Sequence, residues 1–86
     1  MSELVDDRES ITVWIREVFA QLSVRIESDD DDFFVVGGTS LSAMQLISIV
    51  EERLGKDALT PEAFFDGSTV RAIADHLAAA HARRSA

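Results

Sequence analysis

The apolar residues between positions 10 and 22 recur at intervals of three and four, and this spacing constrains the fold more than any other feature of the chain. The residues in the pattern are Ile11, Trp14, Ile15, Val18, Phe19 and Leu22. Because a helical turn contains 3.6 residues, the pattern predicts an amphipathic α-helix with one buried face. A chain of 86 residues, 47% of them hydrophobic, can close one core around that face but not two.

Start and stop signals predict three more helices. A second helix should cover residues 40–54, where Gly55 ends it. A short third helix should follow the pair Thr60-Pro61, because threonine is a good cap and proline suits the first helical position. Ser68 or Thr69 should then cap a fourth helix.

The predicted order is three main helices and one short helix, with a long first connection at 23–39 and no strand-like alternation. This is an all-α four-helix bundle, in which the long connection suits a crossover between helices. We expect a flexible lead at 1–8, the folded domain at 9–80 and a polar tail at 81–86. The initial methionine and the short length favour a discrete protein over a segment of a longer enzyme.

The formal net charge is −8, and four consecutive aspartates stand at positions 29–32. Such a chain is poorly suited to nucleic acid or to an anionic membrane surface, which attract clustered Lys and Arg. No apolar run approaches the roughly 20 residues that span a bilayer, and the acidic start is unlike a secretory signal. We therefore expect a soluble, cytoplasmic protein. The four aspartates should stay solvated, because adjacent carboxylates cannot be buried without partners.

Two kinds of site are excluded by the residues present. The chain has no cysteine, so it cannot form a disulfide or a thiolate metal site, and any thioester chemistry needs a prosthetic group to supply the sulfur. The aspartate run does not match a calcium-binding EF-hand loop, which needs glycine at its sixth position and glutamate at its twelfth. Counted from Asp29, those positions hold Phe34 and Ser40. We therefore predict no metal site.

Ser40 follows the pair Gly37-Gly38 and opens the predicted second helix. The N-terminus of a helix has unpaired N–H groups and about half a positive charge, so an anion attached to the Ser40 hydroxyl would lie in a favourable field. Serine is also a preferred N-cap residue, and a purely structural role is the alternative at this position.

Helical geometry places Ser40 on a different face from the predicted core of its helix. The core positions are Ala43, Leu46, Val50 and Leu54. Leu41, Met44 and Ile47 would then form a partly exposed apolar patch, with Ser48 on the same face as Ser40. Such a patch suggests a docking surface for a partner. The alternative is a broader core stripe that includes Met44 and Ile47.

The short third helix contains the adjacent phenylalanines Phe64 and Phe65. Because successive helical residues point about 100° apart, one ring can be buried while the other lies near the surface. We assign Phe64 as a candidate contact for a partner, with a place in the core as the alternative for either ring.

The stretch 31–41 resembles the attachment motif D-D-F-F-x-x-G-G-x-S-L of carrier proteins. This form of the motif is typical of the peptidyl and aryl carrier proteins of nonribosomal peptide synthetases. The stretch 13–19 looks like the first helix of a carrier protein, and 69–77 looks like the last. The resemblance therefore extends over most of the chain.

The resemblance implies the acyl carrier protein type of bundle, with 4'-phosphopantetheine covalently attached to Ser40 and with Gly38, Thr39 and Leu41 beside it. A phosphopantetheinyl transferase, with Mg²⁺ and coenzyme A, would attach this arm. An adenylation or acyltransferase enzyme would load the thiol of the arm as a thioester. Condensing, tailoring or thioesterase enzymes would then use the cargo to make a nonribosomal peptide, such as an antibiotic. The resemblance implies a monomeric carrier with no catalytic residue of its own.

Thr39 stands where carriers of fatty acid and polyketide synthesis usually have aspartate. Ser42, Gln45 and Ser48 are neutral where acidic residues would be expected in those carriers. These differences favour a peptidyl carrier protein. The acidic run at 29–32 keeps an acyl carrier protein of a polyketide or fatty-acid-type pathway as an alternative. An unmodified helical adaptor module is the alternative from another class.

Overall fold

A computed structural model describes residues 8–85 of the protein, with side chains described for 8–80. Its helices, in chain order, are α1 (Arg8–Gln21), α2 (Ser40–Leu54), α3 (Pro61–Asp66) and α4 (Val70–Ser85). The described residues contain no strand, so the predicted all-α bundle with one short helix is confirmed. Most of the lead predicted at 1–8 lies outside the described residues. At the other end, α4 continues as helix into the segment 81–86.

The ends of the helices follow the signals in the sequence. α2 begins after its N-cap Thr39 and ends at Gly55, whose φ is 110°. α3 begins after its N-cap Thr60. Thr69 caps α4, because its Oγ1 accepts the backbone N–H of Ala72 at 3.0 Å. Local hydrogen-bonding groups thus decide where each of these helices begins.

The core centres on Phe33, which belongs to the long first connection and not to a helix. Its side chain is fully buried, and its ring packs edge-to-face against three other rings, each with a centroid 5.2 Å away. These rings belong to Phe19 of α1, to the adjacent Phe34 and to Phe64 of α3. The aromatic cluster therefore joins the connection to α1 and α3, while α1 packs most closely along α4.

The backbone of the connection is fixed on both sides of Phe33. The Phe33 N–H donates to the carbonyl oxygen of Ser68, and the Phe33 carbonyl oxygen accepts the N–H of Gly38, both at 2.8 Å. The Phe33 ring lies so close to the backbone of Gly38 that a Cβ there would be 2.2 Å from the ring atom Cε2. Close packing therefore requires glycine at position 38, while Gly37 is favoured for another reason, its φ of +121°.

Two of the four consecutive aspartates tie the connection to helices. Asp29 forms a bidentate ion pair with Arg16 of α1, with N···O distances of 2.7 and 2.8 Å. Asp30 pairs in the same manner with Arg71 of α4, at 2.6 and 3.3 Å. The connection is therefore fastened to both of the long helices that pack against each other.

The other two aspartates stabilise turns within the connection. Asp31 Oδ2 accepts the backbone N–H of Glu27 at 2.8 Å. Asp32 Oδ2 accepts the N–H of Phe34 at 3.0 Å, and its Oδ1 accepts the hydroxyl of Ser68 at 2.6 Å. Three of the four aspartates are half-buried. The expectation that the whole run stays solvated is therefore wrong, because each carboxylate has a hydrogen-bonding partner that permits partial burial.

Replacing Gly38 with alanine should lower the free energy of unfolding by about 1–3 kcal/mol, the usual cost of overpacking a core. The new Cβ would overlap the Phe33 ring. Urea denaturation followed by circular dichroism measures this loss. The same replacement should cost less in a Phe33→Leu background, where the ring is absent. An equal cost in both backgrounds would contradict the contact.

The ion pair between Arg16 and Asp29 should stabilise the protein at neutral pH and cease to do so in acid. The hydrogen bond from Arg16 holds the pKa of the Asp29 carboxyl below its ordinary value. This stabilisation is therefore complete above the unfolded pKa of about 3.9 and is lost as the pH falls through the lower folded pKa. Arg16→Gln should lower the melting temperature at pH 7 and have less effect at about pH 2.

Arg25→Gln is the matched control for that experiment. Arg25 is exposed and forms no ion pair with the part of the chain that the structure describes. Arg25→Gln should therefore change the melting temperature at pH 7 less than Arg16→Gln does. If Arg16→Gln lowered the melting temperature equally at both pH values, the proposed role of the ion pair would be wrong.

Candidate functional site

Ser40 is the first residue of α2, and its hydroxyl takes no part in capping the helix. Thr39 is the cap: its Oγ1 accepts the N–H of Ser42 at 3.1 Å, and Ser42 Oγ accepts the N–H of Thr39 at 2.8 Å. This reciprocal capping box satisfies donors that would otherwise be left over at the helix end. Ser40 is exposed, and its hydroxyl makes no hydrogen bond to any residue that the structure describes.

The contact between Gly38 and Phe33 anchors the start of α2 to the core. It holds the backbone of position 38 against the core, two residues before Ser40. Ser40 is thus presented by a hydrogen-bonded turn that is anchored in the core. Of the residues expected beside an attached arm, Gly38 is half-buried, whereas Thr39 and Leu41 are exposed.

The surface of α2 near Ser40 differs in one respect from the expectation. Leu41 and Met44 are 70% and 50% exposed, and Ser48 is exposed as well. Ile47 is only 5% exposed and belongs to the core, which corrects its assignment as a partner contact. It lies four residues after the buried Ala43 and therefore continues the buried stripe of the helix.

In the phenylalanine pair of α3, the ring that was assigned to a partner is the buried one, and the other ring is exposed. Phe64 is fully buried in the aromatic cluster, so its assignment as a partner contact is corrected, and Phe65 is 55% exposed. The Phe65 ring stacks on Phe34, with centroids 5.6 Å apart and planes 14° apart. Val35, next to Phe34 in the chain, is 81% exposed. Sequence reasoning did not single out Val35, and it assigned the wrong ring of the phenylalanine pair to the surface. Neither an irregular loop nor a helix of six residues has a period long enough to orient a side chain.

The electrostatics at Ser40 suit a covalently attached anion. The first charged residue of α2 is Glu51, so no charged side chain of the helix lies in its first turns. The N-terminus of a helix carries about half a positive charge, which favours a phosphate there. No base is hydrogen-bonded to the Ser40 hydroxyl within the described residues. The geometry fits a hydroxyl that another protein modifies.

Two further kinds of site are absent from the described chain. Among the residues that the structure describes, no three His, Cys, Asp or Glu side chains cluster closely enough to hold a metal ion. Within the same residues, no helix combines the length and the apolar character needed to cross a membrane.

Comparison with known proteins agrees with this site. The profile of the family described as Phosphopantetheine attachment site matches residues 13–77, well over half of the chain. A protein of Salinispora arenicola, described as a probable non-canonical nonribosomal peptide synthetase (NRPS) CymA, is 42% identical over 64 residues, which is 73% of this chain. The matched segment is 1% of that protein's length. No solved structure matches the chain significantly.

The family match runs from α1 to α4 and contains the Gly-Gly turn and Ser40. An exposed serine hydroxyl can be esterified, and its place at a helix N-terminus favours the negative charge of the resulting phosphodiester. The chain therefore belongs to the phosphopantetheine attachment family, whose members are carrier domains that hold 4'-phosphopantetheine covalently.

Proposed function

We propose that this protein is a peptidyl carrier protein whose Ser40 carries 4'-phosphopantetheine, on which an aminoacyl or acyl group is held as a thioester. The main support is the Ser40 hydroxyl, which is exposed at the first position of α2. The capping box of Thr39 and Ser42 leaves this hydroxyl uncommitted. A phosphopantetheinyl transferase can therefore reach it without opening the helix.

Attachment makes one bond and breaks one. The Ser40 oxygen bonds to the phosphorus that bears the pantetheine portion of coenzyme A, and the bond from that phosphorus to the adenosine bisphosphate breaks. The hydroxyl proton passes to the transferase, because no base lies in hydrogen-bonding contact with Ser40 in the described residues. The resulting phosphodiester places a negative charge at the N-terminus of α2, where the helix dipole stabilises it.

The arm supplies the thiol that the chain lacks, since the sequence contains no cysteine. An adenylation or acyltransferase enzyme would load this thiol, and condensing, tailoring or thioesterase enzymes would act on the cargo. We propose that the carrier is a monomer, catalyses nothing itself and works in the cytoplasm. Its pathway would be the synthesis of a nonribosomal peptide or a related natural product.

Two observations favour a peptidyl carrier over an acyl carrier of a polyketide or fatty-acid-type pathway. The surface around Ser40 is apolar at Leu41 and Met44, so a partner would dock by burying apolar area more than by pairing charges. The acidic residues that support the acyl carrier alternative are partly committed to the fold, because Asp29 and Asp30 pair with arginines of α1 and α4. The likeness to part of a nonribosomal peptide synthetase agrees with this choice.

Incubation with coenzyme A, Mg²⁺ and a promiscuous phosphopantetheinyl transferase should add one phosphopantetheine to the protein, as measured by intact mass. Ser40→Ala should abolish the gain completely, because it removes the attacking oxygen. Ser28→Ala is the control, since Ser28 is an exposed serine outside α2, and it should be modified normally. If the folded wild-type protein gained no mass, the unmodified adaptor would be favoured.

Met44→Asp should slow modification and loading by partner enzymes far more than it harms folding. Met44 is half-exposed, so the free energy of unfolding should change by no more than about 0.5 kcal/mol. Loss of a docking contact should lower kcat/KM about tenfold or more. Ile47→Asp places a charge in the core and should unfold the protein. If both variants lost melting temperature equally, Met44 would be a core residue with no docking role.

A further inference from the structure

Thr12 and Ser68 are the two polar residues that lie buried among the residues that the structure describes. The Thr12 hydroxyl donates to the carbonyl oxygen of Arg8, one turn earlier in the same helix, at 2.8 Å. The Ser68 hydroxyl instead donates to Oδ1 of Asp32, 36 residues away, at 2.6 Å. A short hydrogen bond to a carboxylate is a strong one, so Ser68 links the junction between α3 and α4 to the connection that precedes Ser40.

We propose that Ser68 is a positioning residue for phosphopantetheine attachment. Acting through Asp32, its hydroxyl holds the turn formed by residues 32–38 in the orientation that presents Ser40 to the transferase. The inference rests on the proposed function of Ser40. It adds to that function a buried residue of the α3–α4 junction, which lies outside both the attachment motif and α2.

Asp32 organises the turn 32–38 as an N-cap residue organises the start of a helix. Its Oδ2 accepts the backbone N–H groups of Phe34 at 3.0 Å and of Val35 at 3.2 Å. One carboxylate oxygen is therefore used inside the turn, and the other oxygen is held by Ser68. Because both oxygens belong to one planar group, the Ser68 hydroxyl fixes the orientation of the cap and, with it, the orientation of the turn.

The turn leads directly to Ser40. At its end, the N–H of Gly38 donates to the carbonyl oxygen of Phe33 at 2.8 Å. Thr39, which follows Gly38, is the N-cap of α2, and Ser40 is the first residue of that helix. A displacement of the turn would therefore move the helix cap and the Ser40 hydroxyl together.

Ser68 holds the connection by two separate groups, and a substitution can remove one of them alone. Besides the hydroxyl, its carbonyl oxygen accepts the backbone N–H of Phe33 at 2.8 Å. Ser68→Ala keeps this backbone bond and leaves the Phe33 ring packed against Phe19 and Phe64. The connection should stay anchored in the core while the carboxylate of Asp32 loses its fixed orientation. The expected defect is a turn with several orientations in a folded protein.

Such a defect has a specific kinetic signature. If the turn presents Ser40 about one fifth of the time, the apparent dissociation constant of the carrier and the transferase rises about fivefold. The chemical step on the bound carrier is unchanged, because the transferase binds the presented orientation. Ser68→Ala should therefore raise the KM for the apo-protein, as a substrate of a phosphopantetheinyl transferase, about fivefold and leave kcat unchanged.

Thr12→Ala is the matched control, since it also removes a buried hydroxyl, whose hydrogen bond stays within α1. Both variants should have a lower melting temperature, but Thr12→Ala should leave KM within about twofold of the wild type. The kinetics are measured well below the lowest melting temperature of the set. Asp32→Ala tests the route, because adding Ser68→Ala to it should raise KM no further.

Amide hydrogen exchange of the apo-protein reports on the turn itself. The N–H groups of Phe34 and Gly38 should exchange about tenfold faster in Ser68→Ala than in the wild type, while those of α1 should not change. Unchanged exchange at these two amides would contradict the route through Asp32.

The positioning role would be overturned if Ser68→Ala had the KM of the wild type, if Thr12→Ala raised KM equally, or if kcat fell with KM unchanged. The proposed function would survive each of these results, because the mass gain of the wild-type protein establishes attachment separately. If the folded wild-type protein gained no phosphopantetheine, both proposals would fail.

Discussion

The Phe33 ring lies directly against the backbone of Gly38, and the presentation of Ser40 depends on this contact. A side chain at position 38 would collide with the ring, and the N–H of Gly38 is bonded to the carbonyl oxygen of Phe33. The same ring is packed among Phe19 and Phe64, so the connection is anchored in the core immediately before α2. The helix therefore starts at a fixed place, with its first residue at the surface. The function that we propose for Ser40 requires both the fixed position of the helix start and the exposure of Ser40.

At the N-terminus of α2, the side chains that cap the helix are different from the side chain that offers the attachment hydroxyl. Thr39 and Ser42 satisfy each other's backbone donors, so the helix end is stable without Ser40. The Ser40 hydroxyl is then available for a phosphodiester, and the partial positive charge of the helix end favours that anion. In the same region, Leu41 and Met44 offer apolar surface to partners. Stability and function are thus assigned to different side chains within one turn and a half of helix.

Features set by neighbours in the sequence could be predicted. The start of α2, its end at Gly55 and the cap at Thr60 follow from local hydrogen bonding and from glycine geometry. Ser40 was identifiable because the motif around it is local as well. The side of α2 that faces the core was predicted except at Ile47, which lies at the edge of the buried stripe, where a helical wheel does not separate core from surface.

Features set by residues distant in the chain could not be predicted. The partners of Asp29, Asp30 and Asp32 are 13, 41 and 36 residues away, so the sequence suggested a solvated run where the structure has ion pairs and hydrogen bonds. The choice between Phe64 and Phe65 depends on the ring of Phe33, which reaches α3 from the first connection. In each case the outcome depends on contacts between residues that are distant in the sequence, and the sequence alone does not show these contacts.

The most direct test of the central claim is to locate the arm by tandem mass spectrometry of peptides from protein modified with coenzyme A and a phosphopantetheinyl transferase. The account predicts a single arm, and the fragment ions should place it on the oxygen of Ser40. An arm on the neighbouring Ser42 would contradict the account, since the Ser42 hydroxyl is engaged in the helix cap. Folded protein that carried no arm would contradict it as well.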